Sequence, residues 1–351
     1  MDDYDFAALP IAGPPAAALS ALTKEQIFFL RDLPKAELHA HLNGSIPLPV
    51  LQELARDYSA KDATSIDATI TRLRSGVQLD ALEDFFGLFP AIYALTSARE
   101  PLACATRGVL EHFLGGKQPQ AAYLELRTTP KATVHMNRRG YLETVLDEIE
   151  KYSAEKVALI VSLDRTMDAA TAREVVELAI DFKKGGRRVV AVDLCGNPMA
   201  GDMKTFKQYF EDAKKAGLGV TLHIAETETN SIDDTVTLLS CGPNRLGHAT
   251  FLNEEAQRIV CERNICVEIC LTSNLLCKTV KSLDDHHMHH YLRENHPVAI
   301  CTDDILPFRN SLLGEYALLL APKPHGLGFS EEEVRRIAVA GMNSRFGADK
   351  T

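Results

Sequence analysis

Two histidines one residue apart, His39 and His41, sit in the run Leu38-His39-Ala40-His41-Leu42-Asn43-Gly44-Ser45. On a β-strand that spacing puts both imidazoles on one face, as two ligands to one ion require. Three other apolar runs end in residues that can do chemistry. They are Leu222-His223-Ile224-Ala225-Glu226, Arg245-Leu246-Gly247-His248, and Val298-Ala299-Ile300-Cys301-Thr302 leading into Asp303-Asp304. Singly, each has an ordinary explanation: a His after an apolar strand is usually a hydrogen-bonded residue, and Asp-Asp often caps a helix or turn. Together they form a set. His39, His41, His223 and Asp303 offer three imidazoles and a carboxylate, which suits zinc. Glu226, His248 and Asp304 lie beside them, and burying so many ionisable groups without a metal or a reaction is costly. Zinc lowers the pKa of a water towards ~7. Glu226, three residues past His223, is a natural proton donor, while His248 and Asp304 can orient or deprotonate that water. The chemistry is hydrolytic attack on an electron-poor carbon.

The elements that must position these residues are short β-rich runs alternating with longer amphipathic stretches. The expected strands are Ala36–Leu42, Ala121–Arg127, Val157–Leu163, Arg188–Leu194, Gly219–Ile224, Arg245–Gly247, Cys266–Leu271 and Val298–Thr302. Between them lie helical patterns such as Tyr141–Ser153, Thr171–Phe182, Met203–Ala216 and Asn253–Arg263. Runs such as Val189-Val190-Ala191-Val192 are apolar on both faces, as parallel strands between a core and covering helices should be. Eight such units predict an α/β chain folded as a single (β/α)8 TIM barrel, with an open doubly wound sheet as the alternative. In a barrel the strand C-terminal ends converge on one rim, which is where all the polar residues above fall.

Before the first strand, residues 1–30 read as an N-terminal arm, extended over Met1–Ser20, followed by a short helix capped by Thr23. Residues 31–351 form the barrel, with 48–96 too long for a simple connection and expected to fold as a helical cap over the mouth. Leu48–Tyr58, Ile66–Ser75 and Leu82–Thr96 are its helical stretches, and Phe85, Phe86 and Phe89 have helical spacing.

Composition narrows the remaining possibilities. Of 351 residues 46% are hydrophobic and 25% charged, which is globular usage and excludes disorder and coiled coils. With 48 acidic against 38 basic residues and no basic stripe, a nucleic-acid polymer is a poor partner, though a single small anion needs only one pocket. No run approaches the ~18 apolar residues of a membrane span, so no membrane association is expected. Met1–Phe6 is acidic without a basic n-region, so a signal peptide is not expected. Eight cysteines without a C-x-x-C pair read as buried thiols in the cytosol, and the protein is expected to be cytoplasmic and monomeric.

Beyond about residue 30 the chain resembles the adenosine/AMP deaminase superfamily. The resemblance rests on His39-Ala40-His41, His223-Ile224-Ala225-Glu226, Gly247-His248 and Thr302-Asp303-Asp304. It implies one zinc on His39, His41, His223 and Asp303, protonation of the purine ring nitrogen by Glu226, and a water positioned by His248 and Asp304. Gly196, in Asp193-Leu194-Cys195-Gly196-Asn197-Pro198, matches the family glycine whose backbone meets the base. Three segments look most like the adenosine deaminase-like branch, which acts on N6-methyl-AMP. They are His41-Leu42-Asn43-Gly44-Ser45, Glu125-Leu126-Arg127-Thr128-Thr129-Pro130-Lys131, and Glu268-Ile269-Cys270-Leu271-Thr272-Ser273-Asn274 with Asp285-His286-His287. The branch implies that Thr128, Thr129, Pro130 and Lys131 lie near the phosphate, where hydroxyls, backbone N–H groups and a cation make a reasonable cradle. Lys131 stands where an Arg is common, and Tyr93 where some relatives carry His. Asp164 matches a position near the ligand and reads equally well as a turn carboxylate.

The function this implies is hydrolysis of N6-methyl-AMP, a purine nucleotide, to IMP and methylamine, with adenosine or adenine deamination as the alternative. Asn43 and the Thr128–Lys131 segment speak against the alternative. A catalytically dead purine-binding protein would have lost a ligand or Glu226, and none is lost. Two features remain outside this reading. Arg127 can pair with phosphate or, more commonly for a strand-end arginine, with a neighbouring carboxylate. His286-His287-Met288-His289-His290 reads as a solvated loop beside the site or as a second metal patch.

Overall fold

The computed structural model describes residues 11–58, 68–69, 87 and 89–346. Its eight strands run parallel and in chain order: β1 (Ala36–His41), β2 (Tyr123–Thr128), β3 (Val157–Asp164), β4 (Val189–Cys195), β5 (Gly219–Ile224), β6 (Arg245–His248), β7 (Cys266–Ile269) and β8 (Val298–Ile300). The ring closes where the chain leaves β8. There the Asp303 N–H donates to the His39 carbonyl at 2.8 Å, and the His41 N–H donates to the Asp303 carbonyl at 3.1 Å. The fold is a (β/α)8 barrel, and the open-sheet alternative falls. Closure therefore runs through three of the expected ligand residues, His39, His41 and Asp303.

Two helices precede β1: α1 (Gly13–Ala21) and α2 (Lys24–Asp32). The extended arm expected over Met1–Ser20 is corrected from Gly13 onward. Prolines in the first turn of α1 need no N–H partner there, so Ala- and Pro-rich sequence is compatible with a helix start. The cap of α2 is as expected, a capping box in which the Gln26 N–H donates to Thr23 Oγ1 and the Thr23 N–H to Gln26 Oε1. After β1 come α3 (Leu48–Asp57) and α4 (Phe89–Leu95), then α5 (Arg99–Leu114). Phe85, Phe86, most of the expected helix Ile66–Ser75 and most of the first seven residues of the expected helix Leu82–Thr96 lie outside the described residues.

The outer ring continues with α6 (Arg138–Ile149), α7 (Ala169–Lys184), α8 (Met203–Lys215), α9 (Ile232–Ser240) and α10 (Glu254–Glu262). Their faces follow helical spacing: α8 buries Met203, Phe206, Tyr209, Phe210 and Ala213 and leaves its lysines to solvent. In α7, Asp168 accepts the Thr171 N–H at the start, and Lys183 and Lys184 meet the carbonyl end of the helix dipole. The chain ends with α11 (Leu271–Leu276), α12 (Met288–Arg293), α13 (Ile305–Phe308), α14 (Leu312–Leu320) and α15 (Glu331–Asn343). α1 packs against α14. No cysteine is disulfide-linked, and six of the eight are buried. Among the described residues no helix is long and apolar enough to cross a membrane.

The Phe210 side chain is fully buried between α8 and the strands. Phe210→Ala is expected to lower the unfolding free energy by ~3–5 kcal/mol, measured by urea denaturation. A loss below ~1 kcal/mol would mean the α8 face is not packed as described.

Candidate active site at the strand ends

His39 and His41 leave β1 on the same side, and His223 comes from the end of β5. The Nε2 atoms of His39 and His41 lie 3.0 and 3.2 Å from His223 Nε2. Asp303 Oδ1, just after β8, is 3.5 Å from both His39 Nε2 and His41 Nε2. One ligand atom from each of the four falls within 4.8 Å of the others. Three nitrogens and one carboxylate oxygen so disposed could hold a divalent metal of the zinc type.

The far nitrogens of two of these imidazoles are anchored. His39 Nδ1 donates to Glu268 Oε2 at 2.6 Å, and His223 Nδ1 donates to Asp193 Oδ1 at 3.0 Å. Each carboxylate thus fixes a tautomer and leaves an Nε2 lone pair facing the cluster. Glu268 also accepts from Arg127 Nη2 (2.8 Å), Arg245 Nε (2.7 Å) and Thr221 Oγ1 (2.9 Å). Burial alone would raise its pKa, but the two guanidiniums hold it well below the usual carboxylate range. Asp193 accepts from Ser162 Oγ at 2.9 Å, and Arg127 Nη1 lies 3.4 Å away. Arg127 therefore pairs with buried carboxylates, the commoner of its two readings.

The other three residues stand around the cluster. His248 Nε2 is 3.8 Å from Asp303 Oδ2 and 3.8 Å from Glu226 Oε1. Burial lowers the His248 pKa to about 3, so its ring is neutral. Burial raises the pKa of Glu226, and burial with the adjacent Asp303 charge raises that of Asp304 well above the usual value. Ser273 Oγ donates to Asp303 Oδ2 at 2.8 Å. Positive φ angles at Ala225 (46°), His248 (60°) and Asp303 (64°) put left-handed backbone at three strand ends here. Each costs ~1–3 kcal/mol and persists only because the surroundings over-determine it.

A cavity of about 290 Å³ opens above the cluster, lined by His41, Asn43, Phe89, Tyr93, Thr128, Thr129, Asp164, Gly196, Glu226, His248, Asp303 and Asp304 among others. Asn43 donates to Thr96 Oγ1 and accepts from the Tyr141 hydroxyl. Gly196 has φ 95°, and a Cβ there would lie 2.7 Å from Asp164 Oδ1, so only glycine lets the backbone face the cavity. Asp164 combines both of its readings, since Oδ1 accepts from Thr166 within a turn while the residue lines the cavity. Pro130 is buried and lines neither cavity at this rim. Lys131 lines a second cavity of about 250 Å³ that shares Tyr93 with the first. Its Nζ lies 4.7 Å from the Tyr93 ring centroid and 3.9 Å from Asp164 Oδ2.

The histidine run departs from both expectations. His286 is 2% exposed rather than solvated, and the run bonds to protein groups rather than gathering as ligands.

Residues 34–351 match the adenosine deaminase family. The chain belongs to the adenosine deaminase family. It is a hydrolytic deaminase acting on a carbon–nitrogen bond. Among its relatives, the N6-methyl-AMP deaminase of Danio rerio is 36% identical over 307 residues, covering 84% of this chain and 86% of that one. The N6-mAMP deaminase of Arabidopsis thaliana is 34% identical over 349 residues, covering 92% and 95%. The crystal structure of the Arabidopsis N6-mAMP deaminase superposes with a TM-score of 0.82 at 34% identity, over 92% of this chain and 96% of that one. Arabidopsis ADAL complexed with IMP gives 0.81 at 34% identity, over 92% and 94%.

Glu268, Asp193 and Ser273 enter the sequence reading only as members of quoted segments, and their contacts with the cluster and with Arg127 escaped it. The available signal was a lone carboxylate inside an apolar strand, Asp193 in Val-Val-Ala-Val-Asp and Glu268 in Cys-Val-Glu-Ile. Glu268→Gln weakens the partner of His39 without removing its bulk. It is expected to lower the affinity for a divalent metal by roughly 10–100-fold, measured by competition with a chelator. Unchanged affinity would show that the Glu268–His39 bond does not tune the cluster.

Proposed function

We propose that the protein is a zinc-dependent deaminase of N6-substituted purine nucleoside monophosphates, converting N6-methyl-AMP and water to IMP and methylamine. The observation that carries this reading is 34–36% identity to N6-methyl-AMP deaminases over most of the chain, combined with an intact His39, His41, His223, Asp303, Glu226, His248 and Asp304 set around one cavity. The donor set fits zinc in number and kind, and the tautomers of His39 and His223 are fixed for coordination. His39, His41, His223 and Asp303 would hold the zinc, which when bound would supply Lewis acidity that brings the pKa of a water towards ~7.

The chain's own residues do the rest. His248, whose ring is neutral, takes up one proton of the attacking water, and with Asp304 it aims the oxygen at the ring carbon bearing the amine. Glu226 gives its proton to the neighbouring ring nitrogen, and burial favours the protonated form it needs. A C–O bond forms, the C–N bond to the methylamino group breaks, and the leaving nitrogen departs as methylamine with the proton that His248 took from the water, while the new hydroxyl returns a proton to Glu226 as it becomes the carbonyl of IMP. Asn43, Tyr93, Asp164 and the Gly196 backbone hold the base and ribose. Lys131 takes the phosphate with Thr128 and Thr129 of the same segment, leaving its present place between Tyr93 and Asp164, while Pro130, buried and without an N–H, makes no contact with it. An added methyl group is worth only ~1–3 kcal/mol of discrimination, so other small N6-alkyl groups are expected to be accepted.

Glu226→Gln is expected to keep its zinc and lose nearly all turnover of N6-methyl-AMP; surviving activity would remove Glu226 as proton donor. Lys131→Ala is expected to raise the KM for N6-methyl-AMP far more than that for N6-methyladenosine. Equal effects on both would remove the phosphate role.

A further inference from the structure

The reaction as proposed leaves the histidine run after α11 without a task, yet its side chains are bonded in sequence towards the site. His287 Nε2 lies 2.8 Å from the backbone carbonyl oxygen of His248. A carbonyl only accepts, so His287 carries its proton on Nε2 and donates. Its ring stacks on that of His286, with centroids 4.4 Å apart and planes 21° from parallel. His286 is fixed in turn: its Nδ1 accepts the Met288 N–H at 3.1 Å, so Nε2 carries the proton and donates to Asn274 Oδ1 at 3.1 Å. Asn274 Nδ2 donates to Thr279 Oγ1 at 2.9 Å and Thr250 Oγ1 at 3.4 Å.

What this chain of bonds holds is an unusual piece of backbone. His248 and Ala249 both have positive φ, 60° and 50°, which side-chain-bearing residues seldom adopt in succession. The peptide joining them is held at both ends. The Ala249 N–H donates to the carbonyls of Gly247 (2.8 Å) and Ile224 (3.1 Å), while the His248 carbonyl accepts from His287. Without the His287 donor, one end of that peptide plane is free to rotate, and the direction of the His248 imidazole rotates with it.

We propose that His287 is a positioning residue: its Nε2–H, braced by the stacked His286, fixes the His248 carbonyl and thereby the aim of the His248 ring at the reacting water. The inference rests on the reading of His248 as a group that serves that water. Nothing in it requires His287 to touch substrate or metal.

The test compares zinc-loaded His287→Phe, which keeps a flat ring for stacking but has no donor, with His287→Gln, whose amide places a donor near the same point. His287→Phe is expected to lose kcat on N6-methyl-AMP by about tenfold to 10²-fold, as misplacement of a reacting group does, with KM and zinc content within about twofold of the parent. His287→Gln is expected to recover most of that loss. Full kcat in His287→Phe overturns the proposal, as does an equal loss in both variants. On the unaltered protein, nitrogen NMR of labelled histidine is expected to show His287 as the Nε2–H tautomer; the Nδ1–H tautomer overturns the proposal even if the Phe variant fails to fold. His248→Ala separates the two levels of the argument. If it is inactive while His287→Phe is fully active, only the positioning role falls, whereas full activity in His248→Ala removes the reading of His248 and the proposal with it.

Discussion

The carboxylate of Glu268 is the point on which the site is hung. From β7 it accepts hydrogen bonds from His39 on β1, Arg127 on β2, Thr221 on β5 and Arg245 on β6. Five of the eight strands therefore meet at one ionised group inside the barrel. A lone carboxylate there would be far too costly to keep charged; two buried guanidiniums and a hydroxyl make it tolerable. Removing one partner of such a network leaves another charge exposed to the apolar interior, which is why breaking buried pairs typically costs ~3–5 kcal/mol. The cluster above this layer inherits its geometry, since His39 is aimed by Glu268 and His223 by Asp193.

A second constraint acts at the seam of the barrel. Glu37 Oε1 accepts the His39 N–H, while its Oε2 accepts both the N–H and hydroxyl of Thr302. The seam residues are thus fixed immediately beside His39 and Asp303. Burial raises the pKa of Glu37 to about 7. Strand ends that would be free in an open sheet are here tied to each other, and the left-handed residues Ala225, His248 and Asp303 turn their side chains over the rim. The fold positions the chemistry by closing on it.

Much of this was legible in the sequence because it depends on local rules. A strand period of two places His39 and His41 together, and apolar runs ending in His223, His248 and Asp303-Asp304 announce strand ends. The helices α7, α8 and α10 declare themselves through polar caps and apolar spacing. What stayed hidden is contact between residues distant in the chain: Glu268 lies 229 positions from His39, and nothing local marks the pairing. Arg127 was ambiguous for the same reason, because its partners Glu268 and Asp193 come from other strands. Periodicity could not find α1, whose prolines suit a helix start as well as an extended arm. His286 and His287 looked solvent-facing because polarity is local information, whereas the burial of His286 and half-burial of His287 depend on what α11 and β6 place beside them.

The central claim is that one strand-end site deaminates an N6-alkyl purine monophosphate. The most direct measurement is steady-state turnover by purified, zinc-loaded protein offered N6-methyl-AMP, AMP, N6-methyladenosine and adenosine in parallel. The account predicts that kcat/KM for N6-methyl-AMP exceeds the others, with methylamine and IMP released in equal amounts. Preferential turnover of free adenosine would contradict it.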